Sequence, residues 1–529
     1  MRRHTQLLSR CINTFKVRFS TTSISRADTS DLTYDSRAHE IASTAKGGRD
    51  RYYPRISSIR ERSSNGSVMR VPAFRKHFDH TDFSSLANNR LDEDYIVEGR
   101  ILGVRKAGKG MYFFDLEQDN TRLQIMATNK LTQMEIDKFN QMHGWFKPGD
   151  YISCTGYASR TKTGELTLKA NKPIELLTPC LLKMPNKLVD KGIINNNRVL
   201  NYLVNPASKQ PIIIKSKIIQ CIRQFLIQRD FLEVQTPILS NEGTGANANP
   251  FKTKFKDTEI QLRVAPELWL KKLVIGGFDK VFEIGNNFRN EGIDQTHNPE
   301  FTSCEFYQAY TSLEELMQLT EDMLMEIFKT FGITIPNGAS FPKYEFLPTL
   351  ESTTGEPLDD LSFDGILKYY NRLNLPIPQG ANPTSLLNNL SETLLESLSV
   401  TKHPNTPVFI YNQPEILSPL AKSSVVNNIP ISSRFELFIN GKEFVNAYEE
   451  ENDPQQQFDK FRQQQENKRE YGDDEMLIPD WNYVQTMKLG LPPTGGWGIG
   501  IDRLAMFISG VERIDSVLPF GNLRDVLKQ

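Results

Sequence analysis

Residues 262–310, LRVAPELWLKKLVIGGFDKVFEIGNNFRNEGIDQTHNPEFTSCEFYQAY, constrain this chain more than any other stretch. Glu267, Glu283, Arg289, Glu291, Glu300 and Glu305 stand there among Val, Phe, Ile, Trp and Tyr. Charge is rarely buried without partners, so a run that reads as core yet carries charge is a candidate site. KVFEIGNNFR and TSCEFYQAY alternate with period two, the pattern of half-buried strands, and the polar, turn-rich NEGIDQTHNPE lies between them. Two strands and such a link set Arg289, Glu291, His297 and Glu305 on one surface. A salt-bridged hairpin of an ordinary α/β domain produces the same pattern, so this stretch alone does not separate structure from site.

The 529 residues suffice for roughly two or three domains. No run of about 18 apolar residues exists, so no membrane-spanning helix is expected. The five cysteines, at 11, 154, 180, 221 and 304, are scattered without a CxxC pair, which argues against a zinc site and a disulfide scaffold. A reducing compartment fits them. The net charge of −1 says little, but its distribution says more. Residues 1–27 carry Arg2, Arg3, Arg10, Lys16, Arg18 and Arg26 and no acid, with Ser and Thr clustered at 20–25, the composition of an organelle transit peptide. Leu7, Leu8, Cys11, Ile12, Phe15 and Phe19 recur at helical spacing opposite the basic residues, and Arg18-Phe19-Ser20 suits cleavage.

Residues 28–90 form a polar, basic extension in which Tyr52, Tyr53 and Phe74 interleave with Arg and Lys. That pattern suits contact with RNA phosphates and bases, and equally a solvated helix and linker. Residues 91–182 hold five short alternating segments with one helical stretch, LTQMEIDKFNQMHGWF, after the third. Five strands with a helix after the third predict an OB-fold barrel. Tyr112, Phe113, Phe114, Arg122 and Gln124 fall on its second and third strands, the usual nucleic-acid face; Phe114 and Leu116 have core parity, which leaves Phe113 outward. Residues 183–205 read as a linker, and 206–529 as the large domain. There NEGTGANANPF (241–251) suits a loop that closes over a ligand, 312–332 an amphipathic helix, 339–405 a helical insertion, and 455–471 a solvated, Gln-rich helix. GLPPTGGWGIGIDRLAMFISG ends the domain, its glycines allowing close backbone approach to a ligand. No GxxxxGK[ST] follows a strand, so a P-loop is not expected.

Together these pieces resemble the class II lysyl-tRNA synthetases of mitochondrial type. RQFLIQRDFLEVQTP resembles motif 1, FRNEG…HNPEFTSCEFY motif 2, and GIGIDRLAM motif 3; APELWLKKLVIGGFDKVFEIG and GLPPTGG resemble the lysine branch. The class I signatures HIGH and KMSKS are absent. The resemblance implies an α+β chain: an N-terminal OB-fold that reads the anticodon, then a class II synthetase catalytic domain of antiparallel sheet flanked by helices. It also implies a homodimer built on motif 1, residence in the mitochondrial matrix, and tRNA(Lys), L-lysine and ATP as substrates.

The same resemblance assigns roles. Arg289 would bind the lysine carboxylate and α-phosphate, and Arg503 the γ-phosphate. Glu291, His297 and Phe301 would contact ATP, with Phe301 stacking adenine. Glu436 and Glu443 would hold Mg²⁺, a hard cation that takes carboxylate and phosphate oxygens. Glu305, Glu450 and Tyr307 would surround the ε-ammonium. Glu267 and backbone at Gly245 would take the α-amino group, with Asn446 at the carboxylate and Tyr448 in the same pocket. Phe113, Gln124 and Glu165 would read anticodon uridines. One departure is YEEEND at 448–453, where Glu451 replaces an apolar residue beside the pocket. A synthetase paralogue that modifies a protein would lack the barrel. A non-catalytic RNA-binding relative would lose Arg289, Arg503, Glu436 or Glu443, and all four are present.

Overall fold

The computed structural model describes residues 32–44, 46–63, 66–86, 90, 93–240, 245, 248–336, 340–471 and 479–527, so the predicted transit peptide at 1–27 lies outside the described residues. The chain divides into two compact units, Met1–Lys187 and Leu188–Gln529.

The first unit opens with α1 (Leu32–Ser43), α2 (Ile56–Arg62) and α3 (Val71–Phe78). Five barrel strands follow: β1 (Asp94–Lys106), β2 (Met111–Gln118), β3 (Thr121–Thr128), β4 (Tyr151–Arg160) and β5 (Leu166–Ala170), with α4 (Ile136–Trp145) between β3 and β4; Gly66–Val68 and Glu175–Thr178 add to the sheet beside β1 and β4. β1 pairs with β2, β2 with β3, β3 with β5, β5 with β4, and β4 again with β1, which closes the barrel. Period two decides what points in. Phe114, Leu116, Leu123 and Ile125 are buried, while Phe113, Asp115, Arg122 and Gln124 alternate outward.

The polar extension departs from its reading as RNA contact or solvated linker. Val71, Phe74 and Phe78 repeat at helical spacing on α3 and are buried in the barrel's core cluster, with Phe74 and Phe78 edge-on to Tyr95 at 5.8 and 5.2 Å. Tyr52 is buried and stacks on Trp145 at 5.8 Å. Of the three aromatics proposed as RNA contacts, Tyr53 alone remains exposed. A short apolar stripe inside a charged composition is easily hidden, because three residues suffice to anchor two turns.

The second unit contains α5 (Gln210–Ile227), β6 (Leu232–Glu233), α6 (Glu267–Ile275), β7 (Lys280–Phe288), β8 (Glu300–Ala309), α7 (Leu313–Phe331), β9 (Lys343–Glu345), β10 (Val408–Pro414), β11 (Ile429–Ile439), β12 (Lys442–Glu449), α8 (Pro454–Tyr471), α9 (Trp481–Met487), β13 (Thr494–Gly500) and α10 (Ile501–Ser509). Its sheet runs β9-β10-β11-β12-β13-β8-β7-β6, with Ser423–Val426 added beside β11. The pairings are antiparallel except at the two ends, β9 with β10 and β6 with β7. α7 starts at a Ser312/Glu315 capping box and stops at left-handed Gly332.

Alternation in the central strands sorts two faces. Cys304 and Phe306, Trp497 and Ile499, Val445 and Ala447, and Phe435 and Leu437 join the core under α5, α7 and α10, where Phe306 stacks on Trp497 at 4.8 Å. Their odd- or even-numbered neighbours face a cavity on the other side.

Two regions, the linker and the Gln-rich helix, differ from expectation, whereas the insertion is helical as its sequence predicts. Residues 191–196 and 198–204 are helices rather than linker, and Arg198 is buried with its Nη2 donating to the Asp515 carbonyl at 2.9 Å. The insertion around 346–401 owns a core of Phe346, Ile366, Tyr369, Tyr370, Leu386 and Leu390, which packs on Ile410 and Phe438. The Gln-rich helix α8 is not solvated all round: Gln457, Lys460, Phe461 and Gln464 are buried.

Candidate active site

A cavity of about 440 Å³ opens on the sheet. β8 sends Phe301, Ser303, Glu305 and Tyr307 into it, β11 Arg434 and Glu436, and β12 Glu443, Asn446 and Tyr448. From β13, Gly496, Gly498 and Gly500 line it without side chains, which leaves the space beside that strand free. Gly245, Glu267, Arg289, Glu291, His297 and Arg503 complete the wall. The structure therefore brings together every catalytic-domain residue named from the sequence except Glu450, which does not line the cavity.

At one end the charges are buried and already partnered. Glu267 begins α6, and Lys271, one turn on and wholly buried, donates to Glu267 Oε1 at 2.6 Å. The same ammonium pairs with Glu450, and Tyr448 Oη donates to Glu267 at 2.5 Å. Glu450 is covered by Gly496, where any Cβ would collide with it. Gly245 has φ +99°, and its Cβ would stand 2.6 Å from that of Glu267, so only glycine lets this backbone close on the carboxylate. Glu305 is different. It faces the cavity, its nearest donor is Tyr307 Oη at 3.5 Å, and burial followed by the Glu267 charge pushes its carboxyl up to about 8. Glu305 is thus the carboxylate of this end that lines the cavity without a cationic partner. Glu283, by contrast, is held by buried Arg263 and by Thr236, and is structural.

Glu451 turns away from the cavity. It is buried, and its Oε2 accepts from Lys460 of α8 at 2.9 Å.

At the other end the groups are more exposed. Arg289 lies over the Phe301 ring at 5.1 Å, and its buried Nε has no hydrogen-bond partner. Such an orphaned donor fits an anionic ligand. Arg503 Nη2 donates to His297 Nε2 at 2.8 Å, which leaves Nδ1–H of a neutral imidazole to donate to Asp294 at 2.7 Å. Arg503 Nη1 also donates to the Glu443 carbonyl at 2.8 Å. Between the two ends, Arg434 Nε donates to Asn446 Oδ1 at 2.9 Å and the same guanidinium pairs with Glu436.

Sequence reasoning passed over Arg434 and Lys271. Both had a signal: Arg434 lies two residues before Glu436 on a strand, and Lys271 four after Glu267 on a helix, so each pair shares a face. Among the described residues no cluster of three or more His, Cys, Asp or Glu forms a self-sufficient metal cage. Glu436 and Glu443 both face the cavity and are hard oxygen donors, a set that suits a cation shared with phosphate oxygens.

On the barrel, Phe113 and Gln124 lie on the outward face of β2 and β3. Arg105 covers Phe113 at 4.8 Å, and Gln124 accepts from Thr167 at 3.0 Å. Glu165 stands exposed at the turn before β5, 3.8 Å from Arg75.

A mostly antiparallel sheet carrying this cavity, preceded in the chain by an OB-fold unit, matches the class II tRNA synthetases of the D, K and N group. Residues 190–524 match the family described as tRNA synthetases class II (D, K and N), and residues 95–177 match the OB-fold nucleic acid binding domain. The mitochondrial lysine–tRNA ligase of Schizosaccharomyces pombe is 41% identical over 456 residues, covering 82% of this chain and 84% of its own. That of Saccharomyces cerevisiae is 37% identical over 527 residues, covering 90% and 91%. A lysine–tRNA ligase of a Thermotoga species is 37% identical over 487 residues, covering 88% and 94%. The chain belongs to the lysine–tRNA ligase family within these class II synthetases.

Proposed function

We propose that the protein joins L-lysine to tRNA(Lys) through a lysyl-adenylate. The observation that carries this reading is the cavity's polarity, with a free carboxylate and tyrosine at one end and an unpartnered guanidinium over an aromatic ring at the other. The lysine carboxylate attacks the α-phosphorus of ATP, the bond to the β-phosphate oxygen breaks, and pyrophosphate leaves. No general base is needed, because the nucleophile is already an anion. Arg289 neutralises charge as it develops on the α-phosphate, and Phe301 offers a stacking surface to adenine. Arg503 leaves its His297 and Glu443 contacts for the γ-phosphate. A terminal ribose hydroxyl of the tRNA then attacks the lysyl carbonyl, and AMP departs.

Lysine lies with its ε-ammonium at Glu305 and Tyr307 and its α-amino group at Glu267 and the Gly245 backbone. Asn446, whose Oδ1 is engaged by Arg434, turns its amide N–H groups to the carboxylate. Glu436 and Glu443 would hold Mg²⁺, which when bound supplies charge neutralisation to the phosphates. Phe113, Gln124 and Glu165 read the anticodon.

Dimerisation through motif 1 is supported by exposed Ile227, Leu232, Ile238 and Leu239 on and after α5. The acid-free N-terminus and the mitochondrial relatives support import into the matrix. Lysine-dependent ATP–pyrophosphate exchange tests the central reading. Equal exchange with aspartate or asparagine would overturn it. Sedimentation at micromolar concentration tests the dimer, and import of a reporter fused to residues 1–27 tests the targeting.

A further inference from the structure

The buried ammonium of Lys271 has no place in the chemistry above. It lies 5.4, 5.9 and 6.0 Å from the ring centres of Tyr448, Tyr483 and Tyr307, so three aromatic rings close it off from water. Its two carboxyl partners, Glu267 and Glu450, come from the start of α6 and from the residue just beyond β12. Glu267 faces the cavity and Glu450 lies against Gly496 of its wall. A buried ion pair is weak evidence for stability, because apolar residues of similar size do as well or better. Its place against a ligand cavity calls for another explanation.

Charge supplies one. The end of the cavity holds three carboxylates, Glu267, Glu305 and Glu450, against the single internal ammonium of Lys271. Ionised, they leave two net negative charges. Lysine carries two ammonium groups, and its carboxylate meets Arg289. Without Lys271 the same end would hold one negative charge too many when all three carboxylates are ionised. An amino acid with a neutral side chain brings one ammonium fewer and leaves a desolvated carboxylate unpaired, which costs affinity steeply.

We propose that Lys271 is a specificity-determining positioning residue: it pins Glu267 and Glu450 and sets the charge of the amino-acid end so that a dicationic substrate is matched. This rests on the reading of the cavity as a lysine site. Lys271 acts through the two glutamates and does not touch the substrate itself. The pair also couples the entrance of α6 to the strand that carries Asn446 and Tyr448, so one side chain registers both walls.

The test is exchange kinetics on the full chain, with lysine and ATP varied separately. Lys271→Met is expected to raise the KM for lysine at least tenfold with the KM for ATP within twofold. Lys271→Met/Glu450→Gln, which removes both charges, is expected to recover part of that loss while staying above wild type, because Glu267 still lacks its anchor. A single variant with lysine KM within twofold of wild type overturns the proposal. So does an equal rise in both KM values, the signature of a merely structural residue. If the single variant does not fold, the double variant decides alone: a raised lysine KM with an unchanged ATP KM supports the proposal, and a wild-type lysine KM sinks it. Wild-type enzyme without lysine-dependent exchange overturns the functional reading and this proposal together, an outcome distinguishable because it precedes any substitution.

Discussion

The two ends of the cavity are built on different principles. At the proposed amino-acid end Glu267, Lys271 and Tyr448 already partner one another and Lys271 also pairs with Glu450, while Glu305 faces the cavity with only the Tyr307 hydroxyl beside it. At the proposed nucleotide end Arg503 is occupied by His297 and Glu443, contacts that a polyphosphate would have to replace, and Arg289 carries a donor with no partner. The first end is pre-paired, and on the proposed reading it discriminates by leaving a wrong ligand's charge unmatched. The second is more exposed, and on the same reading it assembles around its ligand. Desolvated, pre-paired charge gives specificity, whereas accessible arginines give charge neutralisation when the anion arrives.

The largest effect is expected where both ends meet the reacting atoms. Arg289→Ala should lower kcat for exchange by about a thousandfold, the scale of losing a donor to developing charge in a closed site. Exchange within tenfold of wild type would remove Arg289 from the chemistry and erase the asymmetry between the ends.

Glu305→Gln comes next and sharpens the amino-acid end. With its carboxyl pushed up to about 8, Glu305 is largely protonated at neutral pH in the empty pocket. The substrate ammonium favours the ionised form, so binding displaces a proton. The kcat/KM for lysine should therefore climb with pH and level off above about 8. Glu305→Gln should flatten that climb and lower kcat/KM by about a hundredfold, the cost of leaving an ammonium without its charged partner. The raised carboxyl also binds its proton more tightly folded than unfolded. Stability of the ligand-free protein should thus fall between about pH 4.3, the ordinary carboxylate value, and the folded value. Thermal melts across that window check this, and the variant should lose that part of the slope.

Phe113→Ala lies outside both ends. It should weaken tRNA charging about tenfold, the loss of one stacked base, with exchange unchanged. A parallel fall in exchange would mean that the barrel face acts on the cavity.

What the sequence disclosed follows from period and spacing. The alternation of β7 and β8 was visible because one face is core and the other polar, and it put Arg289, Glu291, His297 and Glu305 on one cavity. The barrel's strands and the outward turn of Phe113 were legible for the same reason. The packing of α3 was not, since Val71, Phe74 and Phe78 sit among basic residues whose composition dominates. The direction of Glu450 was not legible either. Its partner, Lys271, comes from a helix far away in sequence, and local pattern cannot pair residues across such a distance. Glu451 was ambiguous on the same ground, because Lys460 lies on a helix whose composition reads as solvated.

That neighbouring pair supplies the smallest effect and the sharpest control. Glu450 and Glu451 are adjacent, both buried, and each meets a lysine, but Glu450 abuts the cavity wall at Gly496 whereas Glu451 points to α8. If the amino-acid end is set by local charge, the outer pair should be replaceable without consequence for binding. Glu451→Leu alone should cost about 3 kcal/mol of stability, because it strands the Lys460 ammonium. Lys460 then keeps only Glu415 at 3.5 Å and the acceptors Ala421 O and Ser423 Oγ. Glu451→Leu/Lys460→Met removes both charges and should regain most of that loss, with the KM for lysine staying within twofold of wild type. A tenfold rise in the double variant would show that the charge behind the wall reaches the substrate, and the contrast between a closed, self-sufficient amino-acid end and an open nucleotide end would fail.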